Sequence, residues 1–213
     1  AGRFEEALLG RSLSEISRNG GDTACLWVYS PIDEESLQRF GFEQSRSLHQ
    51  MSVPLPALPP PVHPGIDIRG FAPGDEEALL VLNTRSFGNH PEAGQWTLDD
   101  LTLRRGYGWY DEEGIRMAWR GERLVAFCWT KVHPDEVGEI YLIATEPELR
   151  GTGLGRVIAL EGLRYLAEIK GSRTGMLYAD GGNGGAMGLY ESIGFRIRQT
   201  SRAFTTSIDS SAG

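Results

Sequence analysis

The residues with the clearest chemical promise form one short run. A strand-like segment, EIYLIATEP, leads into Arg150-Gly151-Thr152-Gly153-Leu154-Gly155-Arg156, and a helical pattern follows. Backbone N–H groups at a helix N-terminus, approached closely because glycines carry no side chain, make a site for an anion such as a phosphate. Arg150 and Arg156 add positive charge. The run is not a P-loop, since no Gly-Lys-Ser/Thr follows. It is not a dinucleotide fingerprint either, because Arg156 stands where the third glycine belongs. Taken alone, the loop is equally an ordinary glycine-rich turn. A second constellation follows further on: Asn183, Ala186, Tyr190, Gly194 and Phe195, spaced N-x-x-A-x-x-x-Y-x-x-x-G-F. His90 and His133 each precede a proline, away from cysteines or carboxylates at zinc spacing, so no metal is assigned. Cys128 falls in a strand pattern and reads as a buried thiol. A Cys128 nucleophile served by His133 is the weaker alternative.

The elements that must position these groups follow from periodicity and punctuation. Ile66 to Gly70 reads as a strand and Pro73 to Phe87 as a helix with Ala78, Leu79, Leu82 and Phe87 on its apolar face. GNHPEAGQW is loop. Thr97 caps a second helix to Arg105, with Asp99 and Asp100 in its first turn. Strands follow at Ile115–Arg120, Leu124–Val132 and Glu139–Ala144, the first two joined by a hairpin at Arg120-Gly121-Glu122. A long helix runs from Gly155 to about Ile169. Then come a strand at Met176–Ala179, a helix at Asn183–Ile193, and strands at Phe195–Arg198 and Ala203–Ile208. The order β-α-α-β-β-β-α-β-α-β-β predicts a mixed α/β sheet with a βαβ unit over residues 139–179.

The chain also repeats itself in part. Setting Gly41 on Gly194, an offset of 153, lays Phe42 on Phe195, Leu37 on Tyr190 and Gly2-Arg3 on Gly155-Arg156. Arg3 to Arg18 is helical in pattern, with Phe4, Leu8, Leu9, Leu13 and Ile16 near one face, yet no capping signal precedes it. Residues 20–30 (GGDTACLWVYS) read as turn and strand, and a helical stretch then ends in LQRFGFEQSRSLHQMSV. Residues 1–55 therefore read as the C-terminal half of a degenerate domain whose complete copy is residues 67–213. The opening helix is expected to be the start of a fragment, with self-association through its uncovered apolar faces. Chance similarity of two helix–strand–helix–strand units is the bland alternative. Between the copies, VPLPALPPPVHPG carries prolines 54, 56, 59, 60, 61 and 64, which deny it helix and sheet interior, so residues 56–66 read as a linker.

Composition narrows the partners. Among 213 residues, 29 are acidic and 21 basic, a net charge of −8, which argues against sequence-independent nucleic-acid binding. No apolar run approaches the roughly 20 residues that span a bilayer, and AGRFEEALLG lacks the order of a signal peptide. Two cysteines exclude a disulfide scaffold and a four-cysteine zinc site. At 40% hydrophobic, the chain can bury a core. The expectation is a soluble, cytoplasmic protein that binds small molecules or proteins. Residues Ser207–Gly213 read as a frayed tail.

The R-G-x-G-x-G loop after a strand, followed in order by N-x-x-A-x-x-x-Y-x-x-x-G-F, resembles the GCN5-related N-acetyltransferase superfamily over residues 67–208, and weakly over 1–55. FGNHPEAGQW, WTKVHPD, GEIYLIATEP and LYADGGNGGAMGLYESIGF resemble the mycothiol synthase family within it. The resemblance implies a tandem acetyltransferase whose C-terminal domain acetylates the cysteinyl amine of desacetylmycothiol. It implies that acetyl-CoA is contacted by Ile143, Ala144, Thr145, Arg150, Gly151, Thr152, Gly153, Leu154, Gly155 and Arg156, and by Asn183, Gly184, Gly185, Ala186, Met187 and Gly188. It also implies that Glu92, Lys131, Glu139 and Tyr178 face the acceptor. Gly151 and Thr152 stand where the family is more basic, which predicts a weaker grip on the pyrophosphate. Acceptor contacts from the front half of the N-terminal domain are expected to be missing.

Amide formation from a thioester needs a neutral amine, a polarised carbonyl and a proton for the departing thiolate. An α-amine with a pKa of about 7.7–8.0 must lose one proton, and Glu139, on the strand leading to the glycine loop, is the candidate base. Tyr190 is the candidate acid, and a backbone N–H near Ile143 the oxyanion donor. A cross-strand surface carboxylate and a core aromatic are the bland readings of Glu139 and Tyr190. Lys131 and Glu92 are each readable as a solvated charge, and Trp96 and Trp129 as core. The alternatives in function are an acetyltransferase for another primary amine, such as a peptide N-terminus or aminoglycoside, and a non-catalytic acyl-CoA-binding module.

Overall fold

The computed structural model describes residues 2–29, 34–88 and 95–208, with backbone alone for residues 2–5. Glu92 and His90 lie outside them, as do residues 209–213 of the expected tail. The chain divides into two compact units. One comprises residues 1–50, 179–184 and 197–213, the other residues 51–178 and 185–196.

In the first unit, α1 (Gly2–Arg18), β1 (Thr23–Val28) and α2 (Glu34–Arg39) precede β2 (Glu43–Pro54). Strand β8 (Arg196–Ser207) pairs antiparallel with β1 from Thr23↔Ser207 to Val28↔Arg202. The interior is built from Ala24, Val28, Leu37, Phe42 and Phe204, with Leu9, Leu13 and Ile16 of α1 packed against it. Of the apolar stripe that predicted α1, Leu9, Leu13 and Ile16 are thus covered, while Leu8 stays exposed. The two expected final strands are one strand. Gln199 and Thr200 carry no apolar alternation, but sheet pairing satisfies their backbone and carries the strand through.

The second unit holds β3 (Asp67–Gly70), α3 (Glu76–Phe87), α4 (Leu98–Arg105), β4 (Ile115–Arg120), β5 (Arg123–Val132), β6 (Gly138–Thr145), α5 (Leu154–Glu168), β7 (Thr174–Asp180) and α6 (Gly184–Ser192). Strands run in the order β7-β6-β5-β4-β3, antiparallel except for the parallel pair β6 and β7. This is the mixed sheet that the element order predicts. Helix α3 starts at Glu76 rather than Pro73, because Asp75 is committed to other bonds: it accepts from Ala72 N–H and from Arg69. Thr97 and Asp100 form the reciprocal capping box of α4.

Strand β5 reads as a continuous apolar run because both of its faces are covered. Phe127 and Trp129 join Leu79, Leu82 and Leu101 of α3 and α4 in one core, while Cys128 and Thr130 meet α5 at Gly162. Helix α5 is buried along most of its length, from Leu154 to Leu166. Among the described residues, no helix is long and apolar enough to cross a membrane.

Candidate active site

Two features of β6 make a cleft. Register slips between Trp129↔Leu142 and Thr130↔Ile140, so Tyr141 is an unmatched residue, a β-bulge that bends the strand. On its other edge, β6 pairs with β7 at Gly138↔Gly175 and Glu139↔Met176, and among the described residues the two strands pair nowhere beyond that point. The edge of β6 from Ile140 onward therefore faces β7 without a ladder, and its amide groups are available to another chain or ligand. Ile143 and Thr145 are half-buried here, and Ala144 is buried.

At the end of β6 a 3-10 turn, Pro147–Leu149, which the sequence pattern does not reveal, delivers the chain to α5. Glu146, 1% exposed, anchors this corner by ion pairs to Arg85 and Arg123. Gly153 caps α5 with φ +90 and Gly151 has φ +79, conformations that favour glycine. No side chain caps the helix, and a Cβ on either glycine would meet nothing within 4 Å. The first N–H groups of α5 thus point into open space, as an anion site requires. Arg150, which is exposed, donates to Ser86 O (3.2 Å), and the half-buried Arg156 donates to Ser192 Oγ (3.0 Å). Thr152 Oγ1 donates to Leu149 O, which steadies the loop.

Glu139 is 6% exposed and directly opposite Lys131 in the β5–β6 register. Its Oε2 lies 2.6 Å from His133 Nε2 and 3.5 Å from Lys131 Nζ. Lys131 also lies over the Trp109 ring (5.3 Å) and the Tyr141 ring (5.9 Å). A cleft of about 250 Å³ opens beside it, lined by Trp109, Tyr110, Asp111, Thr130, Lys131 and Lys170. Trp96 and Trp129, whose rings meet edge to face at 5.9 Å, belong to the aromatic core behind that wall.

Tyr190 of α6 is 6% exposed, with its ring 5.9 Å from that of Phe195. Burial, reinforced by Cys128, pushes its phenol well above the ordinary tyrosine range. It therefore stays protonated across neutral pH. Burial likewise pushes the Cys128 thiol far up, with Glu161 adding to it, so Cys128 is an inert thiol. Tyr178 is 52% exposed on β7. Asn183 precedes α6 and its N–H donates to Asp180 O (3.0 Å); Gly184 and Gly188 have open space where a Cβ would be. Gly185, Ala186 and Met187 fill the first turns of α6.

The structure thus joins Glu139 to Lys131 among the expected residues. It adds His133, which sequence reasoning places in a loop and offers only as a weak partner for Cys128. The signal for it was present: Pro134-Asp135 between two strand runs marks a tight turn, and such a turn brings residue 133 back to residue 139.

The Acetyltransferase (GNAT) family matches this chain over residues 77–195. A mycothiol acetyltransferase of Thermobispora bispora is 43% identical over 197 residues, covering 87% of this chain and 66% of that protein. One from Thermomonospora curvata is 47% identical over 159 residues, covering 73% of this chain and 53% of that protein. The chain thus spans under two thirds of the length of these curated relatives. A GCN5-related N-acetyltransferase from Sphaerobacter thermophilus shares the fold at a TM-score of 0.70 and 22% identity, over 88% of this chain and 61% of that one. The family match takes in the diverging strands, the uncapped helix start and both Glu139 and Tyr190, and it spans more than half of the sequence: the chain belongs to the Acetyltransferase (GNAT) family.

Proposed function

We propose that this chain transfers an acetyl group from acetyl-CoA to the cysteinyl amine of desacetylmycothiol, by direct attack and without a covalent enzyme intermediate. The observation that carries the acyl-CoA part is the parting of β6 from β7 just beyond Glu139, with the open α5 N-terminus at the far end of β6. The free edge of β6 at Ile143–Thr145 offers amide groups to the amides of the pantetheine arm, as a sheet edge does to an added strand. The N–H groups from Gly153 to Arg156 take the pyrophosphate. The carry-over of Asn183, Gly184, Gly185, Ala186, Met187 and Gly188 as contacts of the arm rests on the family resemblance.

The acceptor part rests on the relatives' names and on the cleft beside Glu139. A polar, polyol-bearing amine suits a cleft that combines Trp109 and Tyr110 with Lys131, Asp111 and Lys170. In the reaction the amine nitrogen forms a bond to the thioester carbonyl carbon and the carbon–sulfur bond breaks. Glu139 takes the amine proton, Tyr190 protonates the departing thiolate, and a backbone N–H near Ile143 stabilises the oxyanion. Glu92 and Tyr178 are proposed as acceptor contacts from resemblance alone.

Residues 1–55 are proposed as the second half of a degenerate acetyltransferase copy. The order α1-β1-α2-β2 repeats α5-β7-α6-β8, and the offset of 153 lays Glu43–Pro54 onto Arg196–Ser207, the full extents of β2 and β8.

Acetyl-CoA turnover, read as thiol release, tests this against desacetylmycothiol, cysteine, glucosamine and an Ala-starting peptide. Turnover confined to desacetylmycothiol is expected. Turnover of another amine in its place overturns the acceptor, and acetyl-CoA binding with no turnover at all overturns catalysis by this chain. Glu139→Gln is expected to keep acetyl-CoA binding and lose on the order of 100-fold in turnover.

A further inference from the structure

We infer that His133 is a positioning residue for Glu139: its imidazole occupies Oε2 and leaves Oε1 as the oxygen that receives the proton. The inference rests on the reading of Glu139 as the base. Both contacts to the carboxylate, from His133 and from Lys131, fall on the same oxygen, Oε2. Oε1 has no hydrogen bond among the described residues. An ionised carboxylate only accepts, so a 2.6 Å contact requires that His133 Nε2 carry the hydrogen. Nδ1 is then the remaining ring nitrogen, and the side chain is 28% exposed.

The imidazole is held there by backbone. His133 N–H donates to Val137 O and Glu136 N–H to His133 O, both at 2.9 Å. Glu136 takes φ +65, which only a tight reversal demands. Strand β5 delivers residue 133 and strand β6 residue 139 from the two ends of this turn, so the hairpin sets the distance between the imidazole and the carboxylate. A lone carboxylate on a strand rotates about its terminal bond and offers either oxygen. One charge-assisted bond from a fixed donor removes that freedom, as a base held by a third group requires. Lys131 reinforces the same choice electrostatically, since its ammonium is nearer to Oε2 within the pair.

The test is a double-mutant cycle of His133→Ala and Glu139→Gln, with His133→Gln as the conservative variant. His133→Ala is expected to lower kcat about 10- to 100-fold, part of what a general base contributes. It should leave acetyl-CoA affinity and the melting temperature unchanged, so that the loss falls on kcat alone. On the Glu139→Gln background it should cost nothing further. His133→Gln, whose amide can donate to Oε2, is expected to recover most of the rate. A normal rate in His133→Ala beside a deficient Glu139→Gln overturns this inference alone. Additive losses overturn it too, because His133 would then act independently of Glu139. A normal rate in Glu139→Gln overturns the base assignment, and the positioning role with it.

Discussion

Gly162 lets α5 rest directly on Cys128 of β5: a Cβ built at position 162 would overlap the Cys128 sulfur and come within 3.4 Å of Cys128 Cβ and of Thr130 Cγ2. Helix and sheet therefore approach closely at a point where the helix carries no side chain. Gly162→Ala gains about 1 kcal/mol of helix propensity but overpacks a filled interior, which costs roughly 1–3 kcal/mol. The expected result is a net loss of stability in urea or thermal unfolding. Pairing it with Cys128→Ala removes the sulfur that the new methyl strikes, so the double variant should unfold later than the sum of the single changes predicts.

The two cysteines should differ in reactivity. Cys25 is exposed, and Cys128 is fully buried with its thiol pushed far above the ordinary range by that burial. The reactive species is the thiolate, so a thiol reagent at pH 8 should label Cys25 in the native protein and both cysteines after denaturation. Rapid native labelling of Cys128 would contradict the packing of α5 on β5. It would also reopen a nucleophilic role for that residue.

The glycine loop, the long helix after it and the strand before it are legible in sequence because each carries local chemistry: glycines where φ is positive, and an apolar run where both faces are covered. Glu139 is legible as a strand carboxylate near that loop. What makes it a site is not. The bulge at Tyr141 has no glycine to announce it. The His133–Glu139 contact depends on the geometry of a five-residue reversal, which composition alone does not fix. The single strand β8 escapes for the opposite reason. Gln199-Thr200-Ser201 looks like a break, and only pairing in three dimensions carries the backbone through.

Asp75 should make acid stability depend on a single carboxylate more than its neighbours do. Arg69 grips it with two bonds, 2.6 and 2.8 Å, and Ala72 N–H adds a third at 2.8 Å. These bonds, the Arg69 one foremost, hold its pKa below the usual Asp value. A depressed folded pKa contributes stability that is complete above the unfolded Asp value of about 3.9 and is lost as pH falls through the lower folded value. Asp75→Asn should therefore cost on the order of 1–3 kcal/mol at neutral pH, the range for bonds to charged groups. It should also flatten the fall of stability below pH 4. An unaltered slope there would show that other carboxylates carry the acid transition.

The loop before α5 separates binding from folding. At Gly153 a methyl would meet nothing within 4 Å, yet its φ of +90 lies where side chains are unfavourable. Gly153→Ala should thus cost about 1–2 kcal/mol of backbone strain with no clash. The chain can relieve that strain only by turning the first N–H groups of α5 away. Weaker acetyl-CoA binding by calorimetry, with a smaller effect from the same change at Gly108 outside the loop, is the expected pattern. Equal effects at both positions would mean that the helix start does not hold the pyrophosphate.

As the proposed acid, Tyr190 should not limit turnover at high pH. Its phenol is held protonated by burial, so as a proton donor it remains competent where an exposed tyrosine, with a pKa of about 10, would begin to ionise. The sign matters: a raised pKa extends the acid form upward, and the basic limb of the rate profile should not come from Tyr190 at or below pH 10. Tyr190→Phe keeps the ring against Phe195 and removes only the hydroxyl, so the fold should survive. Turnover should fall on the order of 100-fold, the low end of what a positioned acid contributes. The loss should shrink with an acyl donor whose leaving thiol is more acidic, because that thiolate departs without help. A loss of equal size for both donors would mean that the hydroxyl serves the fold or the binding of acetyl-CoA, and not the departing sulfur.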